Sequence, residues 1–525
     1  MTAYNAMLNI ASTAVSVSET TEETTTEPST TETEPTAEPE DPTSETFDDY
    51  IDYEVISETV DTSQPFMSNS STYDSGHNYV VQEQDEASHQ VQYEYDSEGN
   101  ITSYTNGNNK ETEYEYDAAG NVTKIKMLNA QNQYSYNSAG YISEIQHNNF
   151  SYIFNYDVFN RLISSKIGNT ALSSNSYTNG NLTQTTYANG QHIEYSYDDY
   201  NNIIELCDGE SAFARFVYDK KGRTTVVEDI IDSDHTNFYY YYYDFNGNKT
   251  GEYRTTNNGI LSYYVGYASN GDTIEKTLVN GQIKTITKGT DENGSFVSMD
   301  GIKVKSDYDD FGRTTKVTTS NSDSNVNLET SYTYKNGAET NSTTKLVESL
   351  KQQLNGTTTV QYTYDYDNNN NITAINEVDP NNNTFQIAEY SYNDYNQLES
   401  ETDYTIGTYM YYHYDNAGNI TGIDKYGYNT QTHSTTNLIS QKTYSYDGTW
   451  KDKLTSFNSG AISYDNSGNP LTYRNGMSFN WIRGRVLDKI ISSIFKTSTN
   501  PVFIGVFPFV KLLKTARILM GMTHI

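Results

Sequence analysis

The chain has 525 residues and a formal net charge of −36, with 33 Lys+Arg against 69 Asp+Glu. Phosphate contacts need concentrated positive charge, so this balance excludes a nucleic-acid partner. Only 34% of residues are hydrophobic, yet 13% are aromatic and Tyr alone accounts for 50; a disordered chain is poor in aromatics, so the composition points to strands and turns whose faces are covered by tyrosine.

Residues 1–75 read as an acidic Thr/Glu/Pro-rich disordered stalk or linker. Between Glu19 and Asp61 there are 16 acidic residues and no basic one, and four of the nine prolines lie between Pro28 and Pro42. Such a stretch buries too little apolar surface to offset its ordering entropy. No Lys or Arg precedes Lys110, so the mildly apolar stretch 7–17 lacks the basic n-region of a secretory signal and is read as an ordinary N-terminus.

Residues 76–481 read as a repeat array. One phrase recurs, Tyr-Asp-x-x-Gly-Asn followed by an aliphatic residue or Thr. Its clearest copies are Tyr95-Asp96 with Gly99-Asn100, Tyr116-Asp117 with Gly120-Asn121, Tyr414-Asp415 with Gly418-Asn419, and Tyr464-Asp465 with Gly468-Asn469. Variants begin at Tyr156, Tyr197, Tyr218, Tyr243, Tyr308, Tyr366 and Tyr392 and weaker copies at Tyr136 and Tyr177, among others, and the seven anchors from Tyr95 to Tyr218 are spaced 21, 20, 20, 21, 20 and 21 residues. The alternation before each turn, as in Tyr114-Glu115-Tyr116, is that of a strand with one face covered. Gly120 can take positive φ without a Cβ clash, and where Gly is replaced the substitute is often Asn, as at Asn160, Asn201, Asn370 and Asn396. The Asp is expected to close the turn by accepting backbone N–H groups two or three residues on. Each unit is thus a strand, a tight turn and a returning strand. Only Pro380 and Pro470 fall within residues 90–480, so little interrupts the ladders. The predicted fold is all-β, a continuously winding antiparallel sheet in which stacked hairpins bury one another's faces.

Residues 482–525 form an apolar basic tail with seven Lys/Arg and one acid, Asp488. Its longest charge-free run, Thr497–Val510, is 14 residues, short of the ~20 needed to span a bilayer, so only weak peripheral membrane contact is expected of it.

The Tyr-Asp-x-x-Gly-Asn/Arg phrase at this spacing resembles the YD repeats of Rhs proteins, insecticidal toxin-complex C components and teneurins. The resemblance implies a spiralling antiparallel YD-repeat sheet that forms part of a hollow shell. In Rhs and toxin-complex members that shell encloses a variable C-terminal toxin. The expected function is therefore a non-enzymatic, secreted or cell-surface shell of the bacterial Rhs type, whose partner is its own or a fused C-terminal toxin cargo, acting in interbacterial competition. The alternative is a cell-surface adhesin that binds carbohydrate or protein partners. The family's core segment with an autocleaving aspartyl site does not follow Tyr473. Trp481-Ile482-Arg483-Gly484-Arg485 stands where Trp-x-Gly-Arg is expected, which points to a frameshift, truncation or recombination joint near Ile482.

Other chemistry finds little support. A Tyr-Asp pair repeated at a structural period is a fold requirement rather than an acid/base site. Glycoside hydrolysis needs two particular acids at a defined separation, and no acid stands apart from its repeat. The run from Asp365 lacks the Gly and Glu of a calcium loop. The eight His are scattered without His-Glu-x-x-His, and Gly-x-Ser-x-Gly is absent. No catalytic residue, metal ligand or cofactor is expected. The single cysteine, Cys207, excludes an intramolecular disulfide framework and reads as a buried thiol.

Overall fold

The computed structural model describes residues 65–491, apart from 148, 210, 258–260, 268–272, 280–281 and 292–293. The chain divides into two units, Met1–Asp61 and Thr62–Ile525, and every described residue belongs to the second. The acidic segment up to residue 64 and the tail beyond 491 lie outside the described residues.

From Ser70–Tyr73 to Gly460–Ala461, each strand pairs antiparallel with the next, giving one 35-stranded sheet. A three-stranded sheet of Thr472–Tyr473, Met477–Ile482 and Val486–Ile491 follows. Among the described residues there is no α-helix, only a 3-10 turn at Arg474–Gly476. The array is an all-β, antiparallel YD-repeat sheet.

Because every strand pairs with its sequence neighbours, the turns fall alternately on two rims. The Tyr-Asp turns occupy one rim, as between strands Glu111–Tyr116 and Val122–Met127. The connections between units occupy the other, as between Ile101–Thr105 and Glu111–Tyr116.

The period-two pattern holds: Gln90–Tyr95 and Glu111–Tyr116 both alternate between exposed and half-buried residues. Across the strands, Tyr93 faces Tyr104, Tyr114 faces Ile125 and Tyr134 faces Ile145. The opposite face carries cross-strand ion pairs, Lys124 to Glu115 and Lys126 to Glu113, both at 2.7 Å. Few apolar side chains are fully buried, and three of them, Phe150, Ile167 and Leu172, form one cluster with Tyr152 and Trp450 against it. The sheet is a thin wall whose side chains are covered mainly by lateral neighbours.

Three details differ from the sequence reading. The sheet begins within the segment assigned to the stalk, because Ser70–Tyr73 pairs with Val80–Gln84. The turn between them is a degenerate repeat, in which Asp74 Oδ1 accepts from the N–H groups of Asn78 and Tyr79 at 2.7 and 3.0 Å. At the other end the hairpin Met477–Ile482/Val486–Ile491 straddles position 482, with Trp481 opposite Leu487. Finally, Cys207 is partly exposed rather than buried; it lies within the strand Ile203–Asp208, between Glu194 and Ala212 of the neighbouring strands, its Sγ 3.5 Å from Glu205 Oε1, and burial and that carboxylate push its thiol up.

Candidate functional site

The repeat turn is a closed hydrogen-bond unit. Asp117 Oδ1 accepts from the N–H groups of Ala119 and Asn121, both at 2.9 Å, and Asn121 Nδ2 donates to Oδ2 at 3.0 Å. The N–H of Gly120 donates to the Asp117 carbonyl at 3.0 Å. The carboxylate therefore bonds the second and fourth residues on, rather than the second or third. The same Asp-to-Asn unit recurs at Asp96–Asn100, Asp415–Asn419 and Asp465–Asn469. The glycines Gly99, Gly120, Gly418 and Gly468 have φ of 91, 80, 82 and 81°. Asn160, Asn201, Asn370 and Asn396 stand at the same turn position with φ of 60–64°.

This geometry explains why Arg replaces Asn in some copies. Arg161, Arg223 and Arg313 also donate to the second carboxylate oxygen, through Nε at 2.7, 2.7 and 2.8 Å. Each guanidinium then lies over the tyrosine of the next unit, Tyr177, Tyr243 and Tyr334, at 4.1–4.6 Å. The bonds to the Asn side chain hold Asp96 and Asp117 below the usual carboxylate range.

The repeat tyrosine has a role that sequence reasoning missed. Its hydroxyl donates to the first returning-strand carbonyl of the preceding unit: Tyr95 to Val80, Tyr116 to Ile101, Tyr136 to Val122, Tyr156 to Ile142 and Tyr414 to Leu398, at 2.6–2.9 Å. Tyr464 donates likewise to Leu454. The ladder explains this. Between Val122–Met127 and Ala130–Tyr136 the last pair is Lys124 with Gln133. Beyond it the strands part, and the Tyr136 hydroxyl serves the Val122 carbonyl in place of a strand N–H. Tyr308 is the instructive exception. Its strand stays paired up to Asp307 opposite Gly294, and its hydroxyl sits 3.1 Å from Ser295 Oγ instead.

The sheet winds back on itself, and the seam between windings is where distant repeats meet. Turns of the Tyr-Asp rim in the second winding dock on the opposite rim of the first, 252–300 residues earlier. Asn108 Nδ2 donates to Asp367 Oδ2 at 3.0 Å, and Lys110 pairs with Asp394 at 2.7 Å. Asn129 N–H donates to the Tyr395 hydroxyl at 3.3 Å, and the N–H of Ala338 to the Glu86 carbonyl at 3.0 Å. Asn189 Nδ2 donates to Asp465 Oδ2 at 2.8 Å, and its N–H to Ser467 Oγ at 2.9 Å. The buried cluster of Phe150, Ile167 and Leu172 lies at this seam, with Trp450 of the second winding packed against it. Beside it His147 Nδ1 lies 2.6 Å from Asn132 Oδ1 and Nε2 3.4 Å from Asp452 Oδ1. Tyr152 donates to Asp452 Oδ2 at 3.0 Å, and burial pushes its phenol up.

Glycine makes the seam tight. A Cβ on Gly107 would lie 2.0 Å from the Asn368 carbonyl oxygen, and one on Gly484 2.1 Å from the Tyr187 ring. The terminal hairpin is a buckle over this seam. Arg483 Nε donates to Asp208 Oδ2 at 2.8 Å with its guanidinium 3.9 Å from the Phe213 ring, and Gln191 Nε2 donates to the Trp481 carbonyl at 2.8 Å.

The sequence-defined turns therefore fall in two environments. Those of Asp96 and Asp117 lie on the Tyr-Asp rim of the first winding. That of Asp465 lies in the seam, and that of Asp415 meets the neighbouring turn through Asn419 Nδ2 and the Lys451 carbonyl at 3.5 Å. Among the described residues no group of three His, Cys, Asp or Glu side chains is placed to hold a metal ion. Among them, too, no helix is long and apolar enough to cross a membrane.

The sequence matches the RHS repeat family at residues 95–127 and 177–212. No curated protein matches it. Its fold is similar to a mutant Tc holotoxin pore of Photorhabdus luminescens, with a TM-score of 0.57 at 14% identity, over 81% of this chain and 24% of that one. It is also similar to TcdB2-TccC3 without its hypervariable C-terminal region, with a TM-score of 0.51 at 13% identity, over 82% of this chain and 26% of that one. The chain thus spans about a quarter of the length of each. The chain therefore carries RHS repeats at residues 95–127 and 177–212 within an antiparallel sheet of hydrogen-bonded Tyr-Asp turns, and its fold is similar to that of the Tc structures.

Proposed function

We propose that this chain is wall material of a secreted or surface-delivered Rhs shell, which isolates a C-terminal toxin cargo until delivery in competition between bacteria. The reading assigns it no catalysis; the titratable residues of the repeats are spent on turns and ladder ends. The observation that carries it is the seam. A one-sheet wall contains a cargo only if successive windings leave no gap, and backbone-to-backbone approach at Gly107 leaves no room for even one methyl group. The test is a protease-labile reporter fused after Ile525. The reading expects the reporter to survive protease in the intact protein and to be cleaved once Gly107→Ala opens the seam. Equal cleavage in both proteins contradicts containment.

A further inference from the structure

The seam shows what a Tyr-Asp rim binds. In the second winding the fourth residue of the turn is covered by the first winding: Ser467 is 1% exposed, and the Tyr395 hydroxyl accepts the N–H of Asn129. In the first winding the same turn position holds Phe159 and Tyr200, which are 74% and 86% exposed, and the third position of a later turn holds Phe245 at 88%. Arg161 and Lys221 lie over one face of the Phe159 and Phe245 rings at 5.2 and 4.7 Å, and the rest of these rings and Tyr200 stay open to solvent on a rim whose second-winding counterpart is covered. Neighbouring strands lie about 4.8 Å apart, which places these three tips, each two hairpins from the next, roughly 19 Å apart along one edge. That edge continues the established seam in chemistry and in turn geometry.

The complementary edge is on the same molecule. The rim opposite the Tyr-Asp turns carries exposed Ile231 and Ile406 at its own tips. The seam covers this rim at Asn108, Asn129 and Asn189, whereas Ile231 and Ile406 lie further along it and stay exposed, so that uncovered stretch is open to the Tyr-Asp rim of another copy.

We propose that the Tyr-Asp rim of the first winding is a docking edge for the opposite rim of a YD-repeat winding, and that its occupant is a second copy of this chain. The contact repeats between molecules the rim-to-rim stacking already made within one. It is heterologous, so it propagates head to tail rather than closing into a two-fold dimer. The net charge of −36 opposes it, and that repulsion is screened beyond about 8 Å at physiological salt. Association therefore strengthens as salt is raised. The proposal is independent of any cargo, and its failure leaves the containment reading untouched.

Sedimentation velocity of the full chain across the micromolar range, at low and physiological salt, is the test. The expected result is concentration-dependent growth beyond the monomer, greater at the higher salt. Phe159→Asp/Tyr200→Asp on one rim, or Ile231→Asp/Ile406→Asp on the other, weakens it about tenfold or more, as loss of interface anchors does. All four side chains are exposed, so circular dichroism and protease resistance of the monomer stay unchanged. Mixing the two double variants restores a one-to-one complex and nothing larger, since each retains one intact rim. A monomer at every concentration and salt, or assembly that both double variants leave intact, overturns the proposal. So does a wild-type monomer that binds a glycan array through Phe159 and Tyr200, an outcome that assigns the rim to adhesion.

Discussion

Replacing Gly107 by Ala tests the seam with a single methyl group. The added Cβ falls 2.0 Å from the carbonyl oxygen of Asn368 and 2.8 Å from its carbon. Both are backbone atoms, so no side chain can rotate away. Ordinary contact begins near 3.4 Å, which forces the windings apart by roughly 1 Å or more and drives hydrogen bonds out of range. The bonds at risk are Asn108 Nδ2 to Asp367 Oδ2 at 3.0 Å and Asn108 N–H to Asn369 Oδ1 at 3.2 Å. At about 1 kcal/mol each, and with little added by the exposed Lys110–Asp394 pair, the loss is about 2–3 kcal/mol. It falls on seam opening rather than on global unfolding, because each winding keeps its own ladders. Hydrogen exchange should show faster exchange in peptides covering 104–112 and 364–372, by one to two orders of magnitude. Gly448→Ala is the control, since nothing lies within 4 Å of its added Cβ. Unchanged protection in Gly107→Ala, at wild-type stability, refutes the tight seam.

Tyr116→Phe keeps the ring and removes the bond to the Ile101 carbonyl, so urea unfolding should show a loss of about 0.5–1.5 kcal/mol; Tyr308→Phe, at a unit whose ladder is already complete, should be near neutral. Gly120 has φ of 80° with only Asn100 Oδ1 within 4 Å of a Cβ, at 3.8 Å, so its constraint is the backbone. Gly120→Val should cost about 1–3 kcal/mol in thermal unfolding and Gly120→Asn much less, because Asn already fills that position at Asn160 and Asn201. Acid should weaken the array. The turn carboxylates of Asp96, Asp117 and Asp198 are held below their ordinary 3.8 mainly by their Asn partners. A depressed folded pKa contributes stability above 3.8 that is lost as pH falls through the folded value. Melting temperature should therefore drop below pH 4, and a flat profile there contradicts the turn chemistry.

The repeat period and the Gly/Asn alternation made the hairpins legible in the sequence, because turn chemistry is local and each copy states it again. Tyr-Asp was legible as a structural pair, but the tyrosine's partner was not. The hydroxyl reaches a carbonyl about fifteen residues back, and only the ladder's ending at Lys124 and Gln133 shows why that carbonyl is open. The Asn/Arg choice after the glycine carried an unread signal, since both donate to the same Asp oxygen. The seam left almost no trace. Gly107 looks like any turn glycine, and its real constraint is a backbone 261 residues away. The hairpin after Met477 was obscured by its composition. Basic and apolar residues there suggested foreign sequence, whereas Arg483 and Gly484 are used for close approach to the first winding.

Whether the sheet truly winds back onto itself is decided most directly by zero-length crosslinking. Carbodiimide joins an amine and a carboxylate only when they touch. Lys110 and Asp394 lie 2.7 Å apart across the seam, and Lys345 and Glu86 3.6 Å apart. Peptide mass spectrometry of the monomer fraction should recover both linkages, and Gly107→Ala should deplete the first. Their absence from the monomer, while the local pair Lys124–Glu115 at 2.7 Å is recovered, would show an open ribbon and contradict the wound wall.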